Sequence, residues 1–159
     1  MKLSVLLVVL PFAESAHKLY QFWSGHSDGS SSRLSLMKNT NYRDAYWLVE
    51  QGPTNDIFYF EGNGLVKFNQ GQYSNKMWAH VDRETDTNAY LLFANPKQTD
   101  LHMIPADFKT IFITHSGFYL SVNTQTDFQS CFGTVIFTVS DRPDCSSVKI
   151  RLVYDSELP

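Results

Sequence analysis

The chain has 159 residues, a length that suits one domain with a buried core. Hydrophobic residues make up 43% of the sequence and aromatic residues 14%, but charged residues make up only 18% and the net charge is −3. Lysines and arginines are scattered singly, so the sequence lacks the basic patch that a nucleic-acid-binding surface needs.

The first residues are predicted to be a secretory signal peptide. Lys2 supplies a positive start, an apolar run from Leu3 to Phe12 follows, and Ala13 and Ser15 supply the small residues of a cleavage site after Ser15. The alternative is an uncleaved anchor, but the run is about half of the roughly 20 residues that a membrane span requires. We therefore expect a signal peptide at 1–15, one β domain at 16–159, and a secreted, extracellular protein without a membrane span.

The rest of the sequence alternates short apolar or aromatic runs with polar turns, which is typical of β-strands. No stretch holds a 3.6-residue period long enough for a helix. In chain order, the predicted strands are 17–23, 33–38, 45–49, 57–60, 65–69, 77–81, 89–93, 101–104, 110–114, 118–123, 134–140 and 148–154.

This pattern predicts an all-β fold, with an antiparallel β-sandwich or jelly roll of ten to twelve short strands as the first choice. A calycin-like β-barrel, which would enclose a ligand cavity, is one alternative. The Gly-x-Trp entry that lipocalins use is absent, because the order at 22–25 is Phe-Trp-Ser-Gly. A β-trefoil is the other alternative, and it requires three similar units.

Two weak internal similarities bear on that requirement. Trp47 and Trp78 each begin an aromatic strand, a polar turn and a second aromatic strand. Ile57 and Ile111 each precede a glycine-containing turn and a further strand. Such likeness is expected of any protein built from hairpins and does not establish an internal repeat, and no more than two similar units can be defended where a trefoil needs three.

The two cysteines are predicted to form a disulfide. Cys131 and Cys145 are 14 residues apart, and export exposes them to an oxidising environment. A strand between them would hold their Cα atoms too far apart, so the flanking residues must fold back toward each other. Free or intermolecular thiols are the alternative.

The hairpin at 75–94 carries the one predicted metal site. Asp82, Glu84, Asp86 and Asn88 place oxygen-bearing side chains at alternate positions in its turn, and clustered oxygens are the ligands that Ca²⁺ prefers. The glycine and terminal glutamate of an EF-hand are absent, and Arg83 lies among the acids. An ordinary solvated turn is the alternative.

No catalytic set is predicted. Gly25-His26-Ser27-Asp28-Gly29 matches the Gly-x-Ser-x-Gly nucleophile elbow, but the elbow requires a following helix and the sequence continues with three serines. The five histidines have no metal-ligand spacing. A hydrolase that uses Ser27 is therefore a weak alternative function.

The aromatic excess favours a binding function. Trp23, Trp47 and Trp78 are candidate binding residues, since exposed aromatic rings stack on sugars or anchor protein partners. The alternative is that they fill the core. We expect a secreted, non-enzymatic protein that recognises an extracellular glycan, lipid or protein partner, in defence or at a host surface. A calycin-like carrier of a small hydrophobic ligand is the other expectation.

Overall fold

A computed structural model describes residues 17–69, 76–83, 88–101, 103, 106–138 and 142–157. The predicted signal peptide at 1–15 lies outside these ranges. The described residues contain twelve β-strands and no helix, and hence no helix that could cross a membrane. The strands are β1 (Lys18–His26), β2 (Ser31–Lys38), β3 (Ala45–Glu50), β4 (Phe58–Glu61), β5 (Gly64–Lys67), β6 (Met77–Arg83), β7 (Asn88–Ala94), β8 (Phe108–Ile113), β9 (Gly117–Val122), β10 (Phe128–Cys131), β11 (Thr134–Thr138) and β12 (Ser146–Glu157).

All twelve strands are antiparallel and belong to one continuous sheet, which confirms the predicted all-β class and strand number. Three hairpins, β2–β3, β6–β7 and β10–β11, carry much of the pairing. Their second strands also pair with one another in a cycle, because β3 pairs with β7, β7 with β11 and β11 with β3. We call this ring of three hairpins the cap.

The other six strands form a second series of pairings, which is consistent with a barrel packed against the cap. β1 pairs with β4, β4 with β5, β8 with β9, β9 with β12 and β12 with β1. No strand pairing joins β5 to β8 among the described residues, but the Phe108 N–H of β8 donates a hydrogen bond at 2.9 Å to the carbonyl oxygen of Asn63, the residue before β5. Twelve antiparallel strands in one sheet are consistent with a sandwich or a barrel-like fold, and the ring of three hairpins favours the β-trefoil among the architectures that the sequence leaves open.

The core lies where the barrel meets the cap. Phe22 of β1 stacks on Phe58 of β4 with ring centroids 4.4 Å apart, and Phe58 lies 5.2 Å from Phe93 of β7. All three rings are fully buried. Burying one such side chain stabilises a fold by about 1.5–3 kcal/mol, so these contacts hold the cap onto the barrel and fix the position of the cap's outer face.

Candidate functional site

A pocket of about 300 Å³ lies on the outer side of the cap, and we call it the cap pocket. Side chains alternate across a strand, so Leu48, Leu91 and Val135 point into the core while their neighbours point outward. Strands β3, β7 and β11 thus present outward-facing side chains around one centre. The residues that line the pocket are Asn39, Asn41, Tyr42, Trp47, Asp82, Tyr90, Leu92, Cys131, Phe132, Thr134, Ile136 and Arg142.

Aromatic and aliphatic side chains form the floor of the cap pocket. Trp47 lies opposite Leu92 across the β3–β7 pair, and Ile136 lies opposite Tyr90 across the β7–β11 pair. The rings of Trp47 and Tyr90 are near-parallel, with centroids 6.4 Å apart and an interplanar angle of 28°. Both side chains are half-buried, so the floor offers apolar ring surface to a ligand.

Polar groups stand on one side of this floor. The Tyr42 hydroxyl donates a hydrogen bond to Asp82 Oδ2 at 3.2 Å, which joins the 39–44 loop to β6. Asn39 shapes that loop, because its Oδ1 accepts the Asn41 N–H at 2.6 Å and its own N–H donates to the Ala45 carbonyl at 2.8 Å. The loop therefore presents its polar side chains from a fixed backbone.

Arg142 and the disulfide form the opposite side. The Arg142 guanidinium donates to both Asp144 carboxylate oxygens, at 3.2 and 2.9 Å, and this pairing lowers the pKa of Asp144. Cys131 is bonded to Cys145, which confirms the predicted disulfide. The bond ties the end of β10 to the residues that lead into β12. Phe132, in the turn beside it, is 92% exposed.

The predicted calcium site is only partly described. Asp82 lies at the cap pocket and accepts the Tyr42 hydrogen bond. Glu84, Asp86 and the side chain of Asn88 lie outside the described residues. Among the residues that the structure does describe, no group of three or more histidine, cysteine, aspartate or glutamate side chains is arranged to hold a metal ion. Calcium binding at this turn stays a prediction.

The three candidate tryptophans lie in three different places. Trp47 lines the cap pocket, whereas Trp78 lines a separate pocket at the start of β6. Trp23 lies on β1, where its indole N–H donates to Gln21 Oε1 at 3.4 Å. All three are half-buried. The structure thus brings Trp47, but neither of the other two, together with Asp82.

The Gly-x-Ser-x-Gly stretch forms the turn between β1 and β2. The Gly29 N–H donates to the His26 carbonyl at 3.1 Å, and the His26 N–H donates to the Ser30 carbonyl at 2.9 Å. Gly29 has a φ of 85°, which glycine adopts without strain. Ser27 is exposed in this turn, and a strand rather than a helix follows it.

A partly buried polar cluster on Glu50 was not predicted from the sequence. Glu50 accepts hydrogen bonds from the Ser24 hydroxyl, from the Ser130 hydroxyl at 2.7 Å and from His26 Nε2 at 2.5 Å. The Ser146 hydroxyl lies 3.4 Å from His26 Nδ1. Burial raises the pKa of Glu50, but the three hydrogen bonds outweigh it and hold the pKa below its usual value. The residues of the cluster come from β1, β3, β10 and β12, so no spacing in the sequence predicts that they lie together.

Comparisons with models of protein families, with curated proteins and with solved structures found no match for this chain. Function must therefore be inferred from the contacts, charges and cavities of the chain itself.

Proposed function

We propose that the chain is a secreted, non-enzymatic binding protein and that it recognises an extracellular glycan through the cap pocket. The observation that carries this proposal is the Trp47–Tyr90 ring pair, which lies beside the Tyr42–Asp82 hydrogen bond in one pocket. A sugar has an apolar C–H face and a rim of hydroxyl groups. It therefore suits a site in which aromatic surface adjoins a few polar groups.

The size and charge of the cap pocket support a small sugar unit. A volume of about 300 Å³ lies at the low end of the range for ligand pockets, which suits one or two sugar rings. Asp82 supplies a carboxylate and Asn41 an amide at the rim, and both match sugar hydroxyl groups. Lipid and protein partners remain the other ligand classes for this function.

Secretion is part of the proposal, and two observations support it. The sequence begins with the pattern of a signal peptide. The Cys131–Cys145 disulfide is compatible with an oxidising compartment. N-terminal sequencing of the protein recovered from the medium of an expressing cell line tests this part, with a start at Ala16 expected.

The experiment that tests glycan recognition compares Trp47→Ala with Trp23→Ala. A glycan array identifies a bound sugar, and isothermal titration then measures its affinity for the wild type and for both variants. Trp47→Ala is expected to weaken binding about tenfold or more, because an aromatic side chain at the centre of a site contributes about 2 kcal/mol. Trp23→Ala removes a ring of the same size away from the pocket and is expected to leave binding unchanged.

Three results would overturn the proposal. The first is a glycan array without a saturable ligand, and the second is an affinity that does not differ between wild type and Trp47→Ala. The third is cleavage of the bound glycan, since that would make the protein an enzyme. A lipid or a protein that binds with the same Trp47 dependence would keep the site and change the ligand class.

A secreted hydrolase is the second candidate, and the Glu50 cluster is the observation that favours it. Ser146, His26 and Glu50 lie in the order hydroxyl, imidazole and carboxylate that nucleophilic catalysis uses. The sequence had pointed to Ser27 instead. Labelling with a fluorophosphonate, followed by mass measurement, separates the two serines: loss of label in Ser146→Ala alone would support a hydrolase centred on this cluster. The non-enzymatic proposal expects no label on the wild type.

A further inference from the structure

A second pocket, of about 290 Å³, lies at the start of β6, and we call it the β6 pocket. Its walls are mainly apolar, with Trp78 and Ala79 from β6, Met103 and Ala106 from the β7–β8 connection, and Phe108 from β8. Asn63, Gly64 and His80 complete the lining. No described residue of the lining carries a formal charge at neutral pH when His80 is neutral.

His80 is the unusual member of this lining. Its side chain is only 1% exposed, yet neither ring nitrogen has a partner of hydrogen-bond geometry. Burial lowers the pKa of His80, with partial opposition from the Asp82 carboxylate and from a Trp78 backbone group that falls outside hydrogen-bond geometry, so the neutral form of the ring prevails at pH 7. Leaving a buried polar group unsatisfied destabilises the folded state. A group kept at that cost, beside a pocket, indicates a missing hydrogen-bond partner.

Contacts between β6 and the residues around β5 and β8 shape the β6 pocket. Gly64 packs against the Trp78 ring so closely that an added Cβ would lie 2.4 Å from ring atom Cζ3. Lys76 Nζ lies over the ring at 5.9 Å from its centroid. The hydrogen bond from Phe108 to Asn63 fixes the opposite wall. The pocket is therefore formed before a ligand arrives, which reduces the entropy cost of binding.

We propose that the β6 pocket binds a small, uncharged, mainly apolar molecule that carries one hydroxyl group, and that His80 hydrogen-bonds this group. A neutral imidazole has one N–H donor and one acceptor nitrogen, and a hydroxyl group can accept a hydrogen bond from the first or donate one to the second. The apolar walls favour a hydrocarbon or aromatic body, and the volume limits it to a small molecule. This site is separate from the cap pocket and does not depend on glycan recognition.

The test uses p-cresol and p-xylene, which have the same shape and differ by a hydroxyl in place of a methyl group. Each is titrated into ¹⁵N-labelled protein at pH 7.5, and the indole N–H signal of Trp78 is followed by NMR. The wild type is expected to bind both probes saturably, with about fivefold preference for p-cresol, since one net hydrogen bond contributes about 1 kcal/mol.

Two variants separate the hydrogen bond from the cavity. His80→Leu places an apolar side chain of similar size at this position, so the variant should retain p-xylene binding and lose the preference for p-cresol. Ala106→Leu fills part of the pocket and should weaken both probes about tenfold or more. Trp47→Ala, in the cap pocket, should leave both affinities unchanged.

The proposal is overturned if p-cresol does not saturate the Trp78 signal. It is also overturned if wild type and His80→Leu show the same preference, or if Ala106→Leu binds both probes as the wild type does. Failure of glycan binding with intact p-cresol binding would refute the cap-pocket proposal alone, and the reverse result would refute this one alone.

Discussion

Replacing Glu50 with glutamine should destabilise the protein by an amount that depends on pH. The side chain is 13% exposed and accepts three hydrogen bonds as a carboxylate. A hydrogen bond to a charged group contributes about 1.5–3 kcal/mol, against about 1 kcal/mol for a neutral pair. Glutamine keeps the shape and one acceptor oxygen, so the expected loss at pH 7 is about 2–4 kcal/mol, or roughly 4–16 °C in Tm for a chain of this size.

The pH dependence follows from the lowered pKa of Glu50. A carboxyl group whose pKa is lower in the folded state stabilises the fold above its unfolded pKa, about 4.3 for glutamate. That contribution disappears as the pH falls through the folded value. The difference in unfolding free energy between wild type and Glu50→Gln should therefore be larger above pH 4.3 than below it, and should shrink as the pH falls through the folded pKa of Glu50.

Urea unfolding followed by tryptophan fluorescence at several pH values measures both effects. Asp155→Asn is the matched control, because Asp155 is exposed and accepts the Gln21 amide at 2.7 Å on the surface. Its expected cost is below about 0.5 kcal/mol. If Glu50→Gln lowers the free energy of unfolding by as little as this control, or by an amount that does not change on acidification, the stabilising role of the Glu50 carboxylate is refuted.

Three further predictions concern local packing, cross-linking and ionisation. Gly64→Ala should lower the free energy of unfolding in urea by about 1–3 kcal/mol, because the added methyl group meets the Trp78 indole ring. Gly25→Ala is the control and should cost less than about 1 kcal/mol, because its Cβ would meet nothing closer than 3.8 Å. Equal losses in the two variants would contradict the packing argument. Replacing Cys131 and Cys145 together with alanine should lower stability by about 2–4 kcal/mol for a loop of this length, and a loss below 1 kcal/mol would contradict it. Because the pKa of His80 is lowered in the fold, its contribution to stability is present above about pH 6.5 and declines as the pH falls below that value; His80→Leu should remove this decline, and an unchanged profile would count against the buried neutral ring.

Local patterns in the sequence predicted the strands better than they predicted the architecture. Alternation of apolar and polar residues located the β6–β7 and β8–β9 hairpins. It missed β10, because Gln129 and Ser130 read as polar loop residues and yet are buried in the sheet. It also assigned a strand at 101–104, where the described residues Leu101 and Met103 lie outside the strands.

The strand pairing favours a threefold arrangement, which the sequence did not reveal because the corresponding segments differ in their residue patterns. The units that begin at Ile57 and Ile111 correspond to the barrel hairpins β4–β5 and β8–β9, so that similarity reflects the fold. The third strand pair of this kind is β12 with β1, and these two strands are far apart in the sequence. It can therefore not be recognised as one stretch. The likeness of Trp47 to Trp78 links β3 with β6, which are not equivalent strands.

The candidate site was predictable in part. Trp47 was predicted as a binding residue from the aromatic excess, and Asp82 as a calcium ligand from the oxygen-bearing side chains of its turn. The structure places both residues in one pocket. Tyr42 and Tyr90 also line this pocket, but strand pairing and loop geometry bring them there, and no spacing in the sequence predicts that position. The Glu50 cluster and the unpartnered His80 are likewise products of tertiary packing, since each depends on neighbours that are distant in the chain.

The pairing of β1 with β12 has a consequence for the order of folding. Lys18 pairs with Glu157, so this contact joins residues 139 positions apart, and closing so long a loop carries a large entropy cost that no local contact offsets. The cap hairpins are local and need no such closure. During synthesis, β2 and β4 follow β1 and can pair with it early, but β12, its longest pairing partner, is made after all the other described strands. We therefore expect the pairing of β1 with β12 to be a late and slow step of folding, with one edge of β1 unpaired until β12 has been synthesised.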